Sequence, residues 1–164
     1  MSSSTPEILT AAVLTVSDSS SRGLREDLSG PALVEALTKN NFQVMVTEVV
    51  PDDRTHIENA LLQLSEKARL VVSTGGTGLA ERDVTPEATR AVCQRIVDGI
   101  SERMRLEGSK KTPLAALSRG ICGVRGQSLI LNVPGSPKGA IESLEAVIDI
   151  LPHALRLLAG DTAH

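Results

Sequence analysis

Apolar and polar positions along this chain follow two rhythms, and the order in which they succeed each other predicts the fold. Residues 8–16, Ile-Leu-Thr-Ala-Ala-Val-Leu-Thr-Val, are almost continuously apolar, as suits a strand covered on both faces. The polar loop Ser17-Asp18-Ser19-Ser20-Ser21-Arg22-Gly23 follows. Ser29 then predicts a helix cap, with Pro31 in the first turn, Leu33, Val34 and Leu37 as the apolar face, and Lys39-Asn40-Asn41 as the end. Residues 42–50 alternate in part and predict a second strand that stops at Pro51-Asp52-Asp53-Arg54. Either Asp52 or Asp53 can cap the next helix, where Ile57, Leu61, Leu64 and Ala68 recur at helical spacing.

A third apolar run, at about residues 69–73, leads into Thr74-Gly-Gly-Thr-Gly-Leu-Ala-Glu-Arg-Asp-Val-Thr-Pro-Glu87. Thr85 as cap and Pro86 behind it predict a helix start, and the helix runs through Ala91 and Val92. Residues 97–118 read as broken helical pieces, interrupted at Pro113. Residues 119–125 and 128–133 flank Gly126-Gln127 and predict a β-hairpin. Pro137 opens a helix carrying Ile141, Leu144, Val147 and Ile148, and a last turn or two over 155–158 ends at Gly160. Strands alternating with helices predict an α/β three-layer sandwich, helices on both faces of a mostly parallel sheet, with one antiparallel strand from the hairpin.

Composition narrows the function. The chain has 164 residues, enough for a single domain with a real core, with residues 1–7 and 161–164 expected as flexible tails. The polar opening lacks the apolar stretch of a secretory leader, and no apolar run is long enough to span a membrane. A net charge of −3, one Phe and neither Trp nor Tyr argue against nucleic acid as a partner. Cys93 and Cys122 lack metal-ligand spacing and read as reduced thiols, which fits a cytoplasmic protein. With His56, His153 and His164 scattered, a zinc site is not expected.

The chemistry gathers in the loops. In a parallel sheet ligands bind at the carboxyl ends of strands, so residues 17–21, 51–54, 74–83 and 134–139 are expected along one edge. Gly75, Gly76 and Gly78 permit positive φ and close approach of a ligand, and a glycine turn ahead of a helix suits a phosphate. Asp83 inside that cradle would repel a phosphate, which points to a metal ion or a reacting group beside it. Asp52 and Asp83 offer hard oxygens to Mg²⁺, and Lys138 offers one mobile positive charge. This set suits phosphoryl or nucleotidyl transfer. Neither a Walker A sequence nor a dinucleotide-binding glycine pattern after the first strand is present.

Thr74-Gly-Gly-Thr-Gly78 followed by Arg82-Asp-Val-Thr-Pro-Glu-Ala-Thr89 resembles the signature of the MogA/MoaB family, the molybdopterin-binding fold shared with the gephyrin G domain. Leu14-Thr-Val-Ser-Asp18, Val50-Pro-Asp52, Leu117-Ser-Arg119 and Leu131-Asn-Val-Pro-Gly-Ser-Pro-Lys138 match in the family's order, over about residues 9–159. The resemblance implies adenylyl transfer from ATP to the terminal phosphate of molybdopterin, with Mg²⁺, by a homotrimer in preference to a hexamer. It implies Asp52 and Asp83 as catalytic carboxylates and metal ligands. It also implies a binding pocket drawn from Ser17, Asp18, Asp27, Thr74, Gly75, Gly76, Thr77, Gly78, Ser118, Asn132, Pro134, Gly135, Ser136 and Lys138. Many relatives carry Pro-Asp-Glu where this chain has Pro51-Asp52-Asp53. The competing expectations are a MoaB-like protein that binds molybdopterin or a nucleotide with little turnover, and a CinA-like enzyme acting on nucleotide pyrophosphates.

Overall fold

A computed structural model describes residues 7–161. Most of both expected tails, His164 included, lies outside the described residues. In chain order the elements are β1 (Leu9–Val16), α1 (Asp18–Ser21), α2 (Ser29–Lys39), β2 (Phe42–Val50), α3 (Arg54–Lys67), β3 (Leu70–Thr74) and α4 (Thr85–Val92). There follow β4 (Arg95–Ile96), α5 (Asp98–Ser109), a 3₁₀ turn (Pro113–Leu117), β5 (Cys122–Arg125), β6 (Ser128–Val133), α6 (Pro137–Val147) and α7 (Leu151–Leu158).

The strands form one sheet in the order β2-β1-β3-β6-β5-β4. β2, β1, β3 and β6 run parallel; β5 pairs antiparallel with β6, and β4 with β5. The registers Val16 to Val50, Thr15 to Thr74 and Thr74 to Val133 bring the carboxyl ends of the four parallel strands to one level. The loops that begin at Ser17, Pro51, Gly75 and Pro134 therefore leave the sheet side by side.

Period-two alternation divides the strand side chains between two apolar layers. Ala11, Val13, Leu70, Val72, Leu129 and Leu131 pack under α2, α5, α6 and α7 through Leu33, Leu37, Met104, Leu144 and Leu151. Ala12, Leu14, Val16, Val71 and Ile130 pack under α3 and α4 through Ile57, Leu61, Leu64 and Ala88. Both faces are covered, which is why β1 and β3 read as unbroken apolar runs. Burial of each such Leu or Ile stabilises the fold by about 1.5–3 kcal/mol. Leu144→Ala, which empties a fully buried position, would cost about 2–5 kcal/mol.

Several helix starts differ from expectation. Ser29 does not cap α2; Leu28 stands at the cap position, and Asp27 Oδ1 takes the Gly30 N–H at 3.0 Å instead. Thr85 does not cap α4 either. Val84 occupies that position, while the Thr85 N–H bonds the Gly76 carbonyl and its hydroxyl donates to the Gly75 carbonyl. Of the two candidates at α3, Asp53 is the cap, accepting from the His56 N–H at 3.0 Å, so Asp52 takes no part in capping. Ser136 caps α6, as Pro137 implied. The broken helical stretch resolves into α5 and the 3₁₀ turn, and β4 was not foreseen, because two residues carry no periodic signal.

Candidate active site

The glycine turn is bound tightly to its neighbours. Thr74 Oγ1 donates to the Pro134 carbonyl at 2.7 Å, and the Gly75 N–H donates to the Val133 carbonyl at 3.2 Å. Gly75 has φ +101°, and a Cβ there would collide with the Val16 carbonyl. Gly76 has φ +69°; its Cβ would strike Thr85 Oγ1 and lie 3.3 Å from Asp52 Oδ1. A Cβ at Gly135 would sit 3.2 Å from the Gly75 Cα, so these two loops touch backbone to backbone.

A two-lobed cleft opens over this contact. One lobe, of about 490 Å³, is lined by Thr77, Gly78, Ser118, Asn132 and Pro134, with Met104, Arg105, Leu114 and Leu117. The other, of about 420 Å³, is lined by Ser17, Asp27, Asp52, Thr74 and Gly75, with Ser20, Arg25 and Glu26. Gly76, Asp83, Gly135 and Ser136 line both and mark the junction. Most of the expected site residues thus meet in one place. Asp18 and Lys138 line neither lobe; Asp18 turns instead to Asp52 and Arg82, and Lys138 stands exposed on α6.

Backbone donors ring the junction. Among the described residues, the N–H groups of Gly76, Thr77, Gly78, Gly135 and Ser136 donate to no protein acceptor. Concave arrays of this kind bind oxyanions. Asn132 does not add to them. Its amide is consumed in the core, donating to Ser73 Oγ and Thr89 Oγ1, each at 2.9 Å, and accepting from the Ile121 N–H at 3.2 Å.

Each carboxylate at the junction keeps one oxygen free of protein donors among the described residues. Asp52 Oδ2 accepts from the Asp18 N–H at 2.9 Å, and Asp83 Oδ2 from the Ala80 N–H at 3.0 Å. Partial burial, reinforced by the charges of Asp18 and Asp83, raises the Asp52 carboxyl above its ordinary value of 3.8. Asp53 departs from the site: His56 Nδ1 bonds it at 2.6 Å and holds its carboxyl low. Asp27 accepts from Thr15 Oγ1 at 2.7 Å besides capping α2, which makes it a wall of the cleft.

A family described as "Probable molybdopterin binding domain" matches residues 12–153. The chain belongs to this molybdopterin-binding family. A molybdopterin adenylyltransferase of Helicobacter pylori is 45% identical over 153 residues, covering 91% of this chain and 87% of that one. The enzyme of the same name from Escherichia coli is 39% identical over 165 residues, covering 90% and 84%. Among solved structures, the molybdopterin biosynthesis enzyme MoaB of Thermus thermophilus superposes with a TM-score of 0.89 at 52% identity, covering 94% of this chain and 98% of that one. A CinA protein of Thermoplasma acidophilum, at 23% identity and a TM-score of 0.68, shares the fold.

The donor set of this family member fits the magnesium ion that the resemblance implies. The lobe holding Asp52 presents Glu26, Asp27, Asp52 and Asp83 against the single cation Arg25, so a polyphosphate entering it needs a further positive charge. No cluster of three or more His, Cys, Asp or Glu that could hold a metal occurs among the described residues. Two carboxylates with free oxygens nevertheless suit Mg²⁺, which binds through one or two carboxylates and completes its shell with phosphates and water.

Sequence reasoning missed three groups. Ser101, Met104, Arg105 and Gly108 present one face of α5 to the larger lobe, a helical spacing that was legible. Arg119 was quoted only as part of a motif. It donates to the Gly78 carbonyl at 2.7 Å and the Asp83 carbonyl at 2.7 Å, and pairs with Glu87 at 2.8 Å, bracing the whole glycine loop. Arg82 too stands in the sequence only as part of a motif, and it reaches across to Asp18.

Proposed function

We propose that this chain is a molybdopterin adenylyltransferase of molybdenum cofactor biosynthesis. The observation that carries the reading is the set of unpaired backbone N–H donors at Gly76, Gly135 and Ser136, where the two lobes meet, and at Thr77 and Gly78 beside them, in a lining that includes Asp52 and Asp83. A junction of that kind suits two organic molecules joined through phosphate. The identity to enzymes named molybdopterin adenylyltransferase supports the substrates, ATP and molybdopterin.

The reaction forms one bond and breaks one. A terminal phosphate oxygen of molybdopterin attacks the α-phosphorus of ATP, the bond from that phosphorus to the bridging oxygen breaks, and pyrophosphate leaves. The backbone donors hold the phosphates in line and receive the charge that builds on the equatorial oxygens. Asp52 and Asp83 would hold Mg²⁺ through their free oxygens. Bound there, it would supply charge neutralisation for the phosphates. Gly75, Gly76 and Gly135 let the two loops pack backbone to backbone beneath the phosphates, and Ser17, Thr74, Ser118 and Pro134 shape the walls around them. Met104, Leu114 and Leu117 give the larger lobe an apolar side.

Release of pyrophosphate from ATP and molybdopterin tests the reading. Turnover that requires both substrates and Mg²⁺ is expected. A folded protein that binds molybdopterin without turnover would leave the MoaB-like binding reading in its place. We read the chain as one domain acting in the cytoplasm; the single sheet that holds every described strand supports the first, and the free thiols Cys93 and Cys122 support the second. No helix among the described residues is long and apolar enough to cross a membrane. The family resemblance carries a homotrimer, which sedimentation equilibrium measures directly.

A further inference from the structure

The loops carrying Asp18, Asp52 and Arg82 leave three different strands, yet five hydrogen bonds lace them together. The Asp18 N–H donates to Asp52 Oδ2, and the Asp52 N–H donates to Asp18 Oδ1, each at 2.9 Å. This is a reciprocal pair in which each aspartate satisfies the other's backbone. The Arg82 guanidinium closes over it. Nε donates to Asp18 Oδ2 at 2.6 Å, and Nη2 donates to Asp18 Oδ1 and to the Asp52 carbonyl, both at 3.0 Å.

We propose that Asp18 and Arg82 are positioning residues for the transfer reaction, a strap that fixes the Asp52 carboxylate at the lip of the glycine turn. The proposal rests on the adenylyltransferase reading. Both oxygens of Asp18 are engaged and the side chain lines neither lobe, so it meets a ligand only by letting go of Arg82 or Asp52. Among the described residues, each hydrogen bond of the Arg82 guanidinium goes to Asp18 or Asp52. The Asp18 N–H on Asp52 Oδ2 sets the carboxylate's rotation, and Oδ1 is left facing Gly76. The guanidinium itself is exposed, and exposed ion pairs add little to folding stability. Its forked geometry is directional, however, and displacement of a reacting group by about 1 Å costs on the order of 10²-fold in rate.

The test compares wild type with Arg82→Ala, Arg82→Lys, Asp18→Ala and the double variant, by pyrophosphate release and by calorimetry of ATP binding. Arg82→Ala is expected to lower kcat on the order of 10²-fold with both KM values and ATP affinity within about threefold of wild type. Lysine at position 82, which keeps charge but not the fork, restores part of the rate. Asp18→Ala combined with Arg82→Ala is no slower than the slower single variant, because both break one device. Arg103→Ala removes another exposed guanidinium, one that pairs with Asp149 and lines neither lobe, and kcat is retained. If Arg82→Ala does not fold, Arg82→Gln replaces it. A raised KM at unchanged kcat makes Arg82 a substrate contact and overturns the proposal. Multiplying losses in the double variant, a wild-type rate in Arg82→Ala, or an equal loss in Arg103→Ala also overturn it. A wild-type protein without turnover sinks the transferase reading itself, whereas an active wild type with an equally active Arg82→Ala sinks only the strap.

Discussion

Thr85 Oγ1 donates to the carbonyl of Gly75 at 2.9 Å, and that bond closes the glycine turn on the first residue of α4. The same residue's N–H holds the Gly76 carbonyl at 3.1 Å, so one threonine fixes two consecutive peptides in positive-φ geometry. Thr85→Val keeps the shape and removes the hydroxyl, leaving the carbonyl of the buried Gly75 without that donor. A loss of roughly 1–3 kcal/mol is expected in urea denaturation, with Thr85→Ser close to wild type.

Asp52 and its neighbour Asp53 separate chemistry from capping. Asp83→Asn and Asp52→Asn are expected to abolish adenylyl transfer while molybdopterin affinity stays within about threefold, since backbone donors carry the binding. Asp53→Ala removes the α3 cap and lowers stability by about 1 kcal/mol without changing kcat. Pyrophosphate release and thermal melting on the three variants read both effects.

Arg119 holds the Glu87 carboxyl below its ordinary value of 4.5 by hydrogen bonding and charge. A carboxyl lowered on folding contributes stability that is fully present above the unfolded value and is lost as pH falls through the folded one. The difference in urea midpoint between wild type and Glu87→Gln should therefore be full at about pH 7 and shrink as pH falls below the ordinary value of 4.5. A difference that widens toward acid would exclude this pairing as its source.

Burial pushes the Cys93 thiol up to about 11 and the Cys122 thiol up to about 12. At about pH 8 no more than about one Cys93 in a thousand is a thiolate, and the thiolate is the nucleophile. Labelling of native protein by iodoacetamide should be slow at both positions and become fast in urea.

Much of the fold was legible because both faces of the sheet are covered. Near-continuous apolar runs at 8–16 and about 69–73 announced the buried parallel strands found at 9–16 and 70–74, and the loop order followed from their topology. Hydrogen bonds made by side chains at the loop starts were not legible. Thr85 and Ser29 both have the residue type of a cap, but the Gly75 carbonyl claims the first and Asp27 supplants the second. Asp18 and Lys138 sit in matching motifs, yet a motif records which residues are present and not which way they turn. Arg82 defeats local reasoning altogether, because its partner comes from another strand end.

The amide of Asn132 joins three segments inside the apolar layers: Ser73 on β3, Thr89 on α4 and Ile121 ahead of β5. An aliphatic side chain at that position would strand the Ser73 hydroxyl and the Ile121 N–H at once and take a donor from Thr89, whose hydroxyl keeps only the Thr85 carbonyl. Drift at 132 is therefore tolerable only when 73 and 89 change with it, and these positions should vary together or not at all across related chains.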